Sequence, residues 1–216
     1  MKPRTNEFIE NFFGRNPHLV PMKQEILKAA GMLLETYRGG GKVLICGNGG
    51  SAADSEHIVG ELMKGFLLQR PVPPEDRKKM EACCGKELAD QICSHMQGAL
   101  PAISLVSHTA LQTAFCNDVD PQMAFAQQVY GYKKEGDTLI GLSTSGNSAN
   151  VFYAVSVARA FGMKTIAMTG IRNSRLSAAA DVTLRSPETE TYRIQEDHLK
   201  IYHLLCAVTE LELFEK

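Results

Sequence analysis

Apolar residues recur at helical spacing from Phe8 to Phe13 and again from Pro21 to Tyr37. A stripe of this kind buries one side of a helix against a core. The pattern predicts N-terminal helices within residues 1–40, the second stopped by Gly39-Gly40-Gly41. The rhythm then changes to short β-type runs at Val43–Cys46, Ala102–Val106, Thr138–Leu142, Lys164–Met168 and Asp181–Leu184, each separated from the next by enough chain for a helix. Such alternation implies a parallel sheet with right-handed crossovers, hence an α/β fold: a three-layer α/β/α arrangement around a five-stranded parallel sheet. The last segment, Tyr192 to Lys216, reads as a long amphipathic helix with Ile194, Ile201, Leu205 and Val208 on its apolar side.

One stretch breaks the alternation. Arg70 to Leu100, between the first two strands, opens with a proline cluster and continues with charged helical spacing. It is longer than a connection needs, and predicts an inserted helical hairpin or lid broken at Gly85. Its Cys83, Cys84 and Cys93, with His95, are read as ordinary helix packing, because adjacent cysteines suit no common metal site.

Composition narrows the function. The 216 residues fit one ordinary domain, and 44% hydrophobic with 22% charged residues describes a globular, soluble chain. A formal net charge of -1 argues against nucleic acid or an anionic membrane as the main partner. The N-terminal segment lacks the apolar stretch of a secretory signal, and no window approaches a membrane span, so a cytoplasmic location is expected. The six cysteines show no paired spacing and are expected to be reduced.

Ligands of an open parallel sheet bind beyond the carboxyl ends of its strands. Two strand ends are unusual there: Gly47-Asn48-Gly49-Gly50-Ser51 after the first, and Ser143-Thr144-Ser145-Gly146-Asn147-Ser148 after the third, where a helix opens at Ala149. Glycines let backbone approach a ligand closely, while hydroxyls and free helix N-terminal amides supply donors, a combination that favours phosphate. Four hydroxyls in six residues exceed what capping requires. A nucleotide cofactor is not expected: the third glycine of a dinucleotide fingerprint is replaced by Ala52, and a Walker lysine is missing. His57 and Glu61, four apart, share one helical face, as do Gln195 and His203, about two turns apart on the last helix. Each pair alone is an ordinary surface feature. Together, beside phosphate turns, they suit a divalent metal or acid/base work.

The markers "CGNGGS", "SxxxxxHxxxE" from Ser51 to Glu61, "GLSTSGNSANV" and "RIQExHxxxxH" resemble the sugar isomerase (SIS) domain family and, within it, the phosphoheptose isomerases. The likeness runs from about Lys42 to the C-terminus, interrupted by the 70–100 insertion, and the N-terminal helices fit it, so residues 1–216 are expected to form one SIS domain. The resemblance implies aldose–ketose interconversion of sedoheptulose 7-phosphate and heptose 7-phosphate by an enediol mechanism. It implies phosphate contacts from Ser51, Ser143, Ser145 and Ser148 beside Asn48, Gly49 and Gly50, and sugar contacts from Thr144, Asn117 and Asp118. It further implies Glu61 and His203 as acid/base residues or ligands, with His57 and Gln195 completing a zinc-type site for one Zn2+ per subunit. A homotetramer with shared active sites is also implied. Family members commonly place an aspartate just before the Arg-Ile-Gln; here Tyr192 precedes Arg193, leaving that contact to Glu190 or Glu188. Two other readings stand: an isomerase for another sugar phosphate, and a non-catalytic sugar-phosphate-binding regulator of the kind that associates with the replication initiator. That branch lacks counterparts of Glu61 and His203, and both are present here.

Overall fold

The computed structural model describes residues 1–215. In chain order the elements are helices α1 (Pro3–Arg15) and α2 (Lys23–Arg38), strand β1 (Val43–Cys46), helices α3 (Gly50–Met63), α4 (Pro74–Cys84) and α5 (Lys86–His95), strand β2 (Ala102–Ser104), and helices α6 (Thr109–Asp118) and α7 (Ala124–Tyr132). There follow β3 (Thr138–Leu142), α8 (Ala149–Ala160), β4 (Lys164–Thr169), α9 (Arg175–Ala179), β5 (Val182–Arg185) and α10 (Thr191–Phe214). The sheet is five-stranded and parallel throughout, in the order β2-β1-β3-β4-β5, as the alternation of strand and helix predicts.

Strand side chains point alternately to the two faces, and each face has its own core. Val43, Ile45, Ile140, Leu142, Ile166 and Met168 join one cluster that includes residues of α1, α2, α3 and α10. Leu44, Cys46, Leu139 and Ala167 join the other, beneath α7, α8 and α9. Ile194, Ile201, Leu205 and Val208 of α10 are all buried, as its apolar side requires.

Boundaries differ from the sequence expectation where side chains compete with the ladder. β2 stops at Ser104 because the Leu105 carbonyl accepts from the side-chain amides of Gln112 and Gln128, at 2.8 and 2.9 Å. β5 begins at Val182 because the Asp181 carboxylate accepts from Thr165 N and Oγ1 instead of extending the strand. The second helix starts at Lys23, since Pro17–Met22 forms a 3-10 turn. Lys216, the expected end of the last helix, lies outside the described residues.

The 70–100 stretch contains the expected hairpin, α4 and α5, joined at Gly85 with φ 81°, a conformation glycine adopts without strain. No residue of α4 is buried, and an Arg77–Asp90 ion pair ties it to α5. At the root of this stretch Arg70 is fully buried. Among the described residues no helix is long and apolar enough to cross a membrane.

Candidate active site

β1 and β3 are neighbours with Cys46 opposite Gly141, so the two unusual loops leave the sheet side by side. The chain proceeds from β1 to β2 in one direction and returns to β3 in the other. This reversal is where open α/β sheets leave a crevice. The Asn48 and Asn150 amides exchange two hydrogen bonds of 2.9 Å, joining the first loop to the start of α8. Gly49 and Gly146 have φ 58° and 67°, positions at which a side chain would be strained. Ser51 is buried in the first turn of α3, and Ser148 occupies the N-cap position of α8 without a side-chain cap hydrogen bond. Ser143 Oγ lies 2.9 Å from Ser148 Oγ and 3.5 Å from Ser145 Oγ, and Ser145 Oγ accepts from Asn147 N at 3.2 Å. Three hydroxyls therefore converge at the N-terminus of a twelve-residue helix, beside the N-terminus of α3. Both helix dipoles favour an anion there.

Farther along α3 stand His57 and Glu61, facing α10. His57 Nε2 is 3.1 Å from Glu61 Oε1, and His203 Nε2 of α10 is 3.5 Å from His57 Nε2. One ligand atom from each of the three lies within 4.8 Å of the others. Burial, and then the neighbouring His57, lowers the His203 pKa, only partly offset by Glu61. Glu61 Oε2 is buried with no hydrogen-bond partner among the described residues. Imidazole nitrogens and a carboxylate form a donor set that zinc accepts.

Gln195 is packed against the first turn of α3: a β-carbon on Gly50 would sit 2.3 Å from Gln195 Nε2. The glycine is thus what lets the α10 amide approach the first turn of α3. Asn117 and Asp118 end α6, exposed and hydrogen-bonded to one another at 2.7 Å, with no bond to the serine loops or to the His–Glu–His group. A cavity of about 210 Å³ opens beyond β3, β4 and β5, lined by Thr144, Ser145, Arg172, Glu188 and Thr191 among others. His57, Glu61 and His203 do not line it. Of the two carboxylates near Tyr192, Glu188 faces this cavity, whereas Glu190 accepts an ion pair from Arg193 Nε at 2.8 Å.

Asp54, Tyr202, Asn150 and Arg172 were absent from the sequence candidates. Asp54 was the most accessible of them, because it shares a face of α3 with His57 and Glu61 at spacings of three and seven. Tyr202 and Asn150 gave no local signal, since their partners are far away in the chain.

Residues 19–80 and 89–170 match the protein family described as SIS domain. The unmatched stretch between those segments spans the junction of α4 and α5. The phosphoheptose isomerase of Desulfovibrio desulfuricans (strain ATCC 27774 / DSM 6949 / MB) is 36% identical over 206 residues, spanning 95% of this chain and 82% of its own length. Among solved structures, phosphoheptose isomerase GmhA from Neisseria gonorrhoeae superimposes with a TM-score of 0.72 at 31% identity, covering 95% of each chain. A phosphoheptose isomerase from Francisella tularensis gives 0.74 at 30% identity, covering 95% of this chain and 96% of the other.

Proposed function

The chain belongs to the SIS domain family and is a phosphosugar isomerase of the phosphoheptose isomerase kind; on that premise we propose that it interconverts sedoheptulose 7-phosphate and a heptose 7-phosphate through an enediol. The observation that carries this reading is the convergence of His57, Glu61 and His203, from two helices, on the face of α3 whose N-terminus adjoins the serine loop.

Ser51, Ser143, Ser145 and Ser148, with the backbone of Asn48, Gly49 and Gly50, hold the phosphate. Anchoring that end converts the encounter of carbonyl and base into an intramolecular one. Thr144, Asn117 and Asp118 contact the sugar hydroxyls, the latter two through active sites shared within a homotetramer. Glu61 removes the proton from the carbon beside the carbonyl. His203, kept neutral by its lowered pKa, relays the hydroxyl proton to the carbonyl oxygen at the neighbouring carbon, and Glu61 returns its proton to the former carbonyl carbon, which completes the exchange of aldose and ketose with no net gain or loss of protons. His57, Glu61, Gln195 and His203 would hold one zinc ion, which would polarise the carbonyl oxygen; a group that ligates the metal is not at the same moment a free base, so the two roles compete at Glu61. With Glu61 Oε1 turned toward His57, its free Oε2 keeps a lone pair for the proton. The working location is the cytoplasm.

The test is turnover of sedoheptulose 7-phosphate by purified, metal-analysed protein, followed by NMR of the sugar. A heptose 7-phosphate product is expected. Thermal stabilisation by the sugar without conversion would replace this reading with another substrate or a sugar-phosphate-binding regulator. Sedimentation of the same sample checks the tetramer.

A further inference from the structure

Tyr202 and Asp54 take no part in the scheme above, yet they touch it directly. The Tyr202 hydroxyl lies 2.9 Å from His57 Nδ1 and 3.2 Å from Asp54 Oδ1. Its side chain is almost fully buried, 1% exposed, where α10 crosses α3. The other Asp54 oxygen, Oδ2, is buried with no partner, so Tyr202 is the carboxylate's hydrogen-bond donor.

A phenol has a single proton to give. If Tyr202 gave it to His57, the carboxylate, its Oδ2 already buried without a partner, would have no donor, at a cost of about 1–3 kcal/mol or more for a charged group. The proton therefore goes to Asp54, and the phenolic oxygen accepts from His57 Nδ1–H. That choice leaves the Nε2 lone pair aimed at Glu61 Oε1, 3.1 Å away, and toward His203 Nε2, 3.5 Å away. Lone pairs brought this close together suit a cation between them.

We propose that Tyr202, backed by Asp54, is a positioning residue that fixes His57 as its Nδ1–H tautomer and presents Nε2 to the cation held with Glu61 and His203. Metal-bound histidines usually donate their second nitrogen to a carboxylate or carbonyl; here a tyrosine stands between the histidine and the carboxylate. The proposal rests on the reading of His57 as a ligand.

The experiment compares wild type, Tyr202→Phe and Asp54→Asn by two readouts. The first is 15N NMR of the His57 ring in metal-free protein, its resonances assigned by their loss in His57→Gln. The second is zinc affinity by chelator competition. In wild type the Nδ1–H form should dominate. Tyr202→Phe should lose that preference and bind zinc about 10- to 100-fold more weakly. In Asp54→Asn an amide can donate to the phenolic oxygen, freeing the tyrosine proton for Nδ1, so the tautomer should shift toward Nε2–H; this variant decides the matter if Tyr202→Phe does not fold. An unchanged tautomer, or an unchanged zinc affinity where wild type binds zinc, overturns the proposal. If wild type binds no zinc, the ligand reading itself falls, and the tautomer comparison alone decides the role of Tyr202.

Discussion

Arg70 Nε donates to Glu210 Oε1 across 2.6 Å, with both side chains completely enclosed. The pair is a hub. Glu210 also accepts from the backbone amides of Phe66, Leu67 and Leu68, while Arg70 donates to the carbonyls of Leu62 and Glu61. The pair therefore fastens α10 to the end of α3 at the residue that carries the proposed base. Removing one member leaves the other charged and unpaired inside the core, which costs about 3–5 kcal/mol. Glu210→Ala should lose about that much stability in urea denaturation. A change below about 1 kcal/mol would show that water reaches the arginine.

Glu61→Gln keeps the shape of the side chain and removes its basicity. Turnover should fall by roughly 10²–10⁴, with the thermal unfolding midpoint unchanged. A variant with wild-type turnover would take Glu61 out of the proton transfer.

Ser148→Ala removes a hydroxyl at the head of α8, 2.9 Å from that of Ser143. Losing a hydrogen bond to a charged group weakens binding by about 1.5–3 kcal/mol, or about 10- to 100-fold. KM for the sugar phosphate should rise by that factor while kcat changes little, and inhibition by inorganic phosphate should weaken in parallel. A fall in kcat alone would place this serine outside the phosphate contact.

Gly50→Ala introduces a methyl group 2.3 Å from Gln195 Nε2. Alanine suits a helix better than glycine, so the fold should hold and the flexible amide should swing away. Displacing a positioned group can cost about 10²-fold in kcat/KM. The double variant with Gln195→Ala should be no worse than either single change. Additive losses would show that Gly50 acts independently of Gln195.

Stability should fall with acidification because of His198. Burial pushes this imidazole from the ordinary 6.5 down to about 4, while its Nε2–H donates to the Thr169 carbonyl at 3.2 Å. Above pH 6.5 it is neutral in both states and contributes no pH dependence. Between about 6.5 and 4 the unfolded chain takes up a proton that the folded chain refuses, so folding weakens as pH falls. The full difference corresponds to about 3 kcal/mol. Urea denaturation at pH 7, 6 and 5 should show this slope, and His198→Gln should flatten it. An equal slope in the variant would assign the acid sensitivity to other groups.

Most of the architecture was legible in the residues because its signals are local. A strand with both faces covered must be apolar throughout, as Val43–Cys46 is, and a helix against one face must repeat its buried residues every three or four positions, as Thr5, Ile9, Phe12 and Phe13 do in α1. Gly85 could be identified as a break because only the backbone at that position matters. The glycine and serine loops were visible for the same reason: glycine and hydroxyl content at a strand end is a property of a few consecutive residues. His57 and Glu61 were legible as a pair on one turn of helix.

What local pattern could not decide was which helix would stand opposite which. His203 meets His57, Tyr202 bridges to Asp54, Asn48 exchanges bonds with Asn150, and Arg70 finds Glu210, all across more than a hundred positions of chain. Such pairings are settled by how α3 and α10 pack on the sheet and by the need of buried polar groups to find partners. The sequence by itself determined the elements and the chemistry carried at their ends. The tertiary structure decided the partners, because a contact between distant residues exists only once the sheet and both of its cores are assembled.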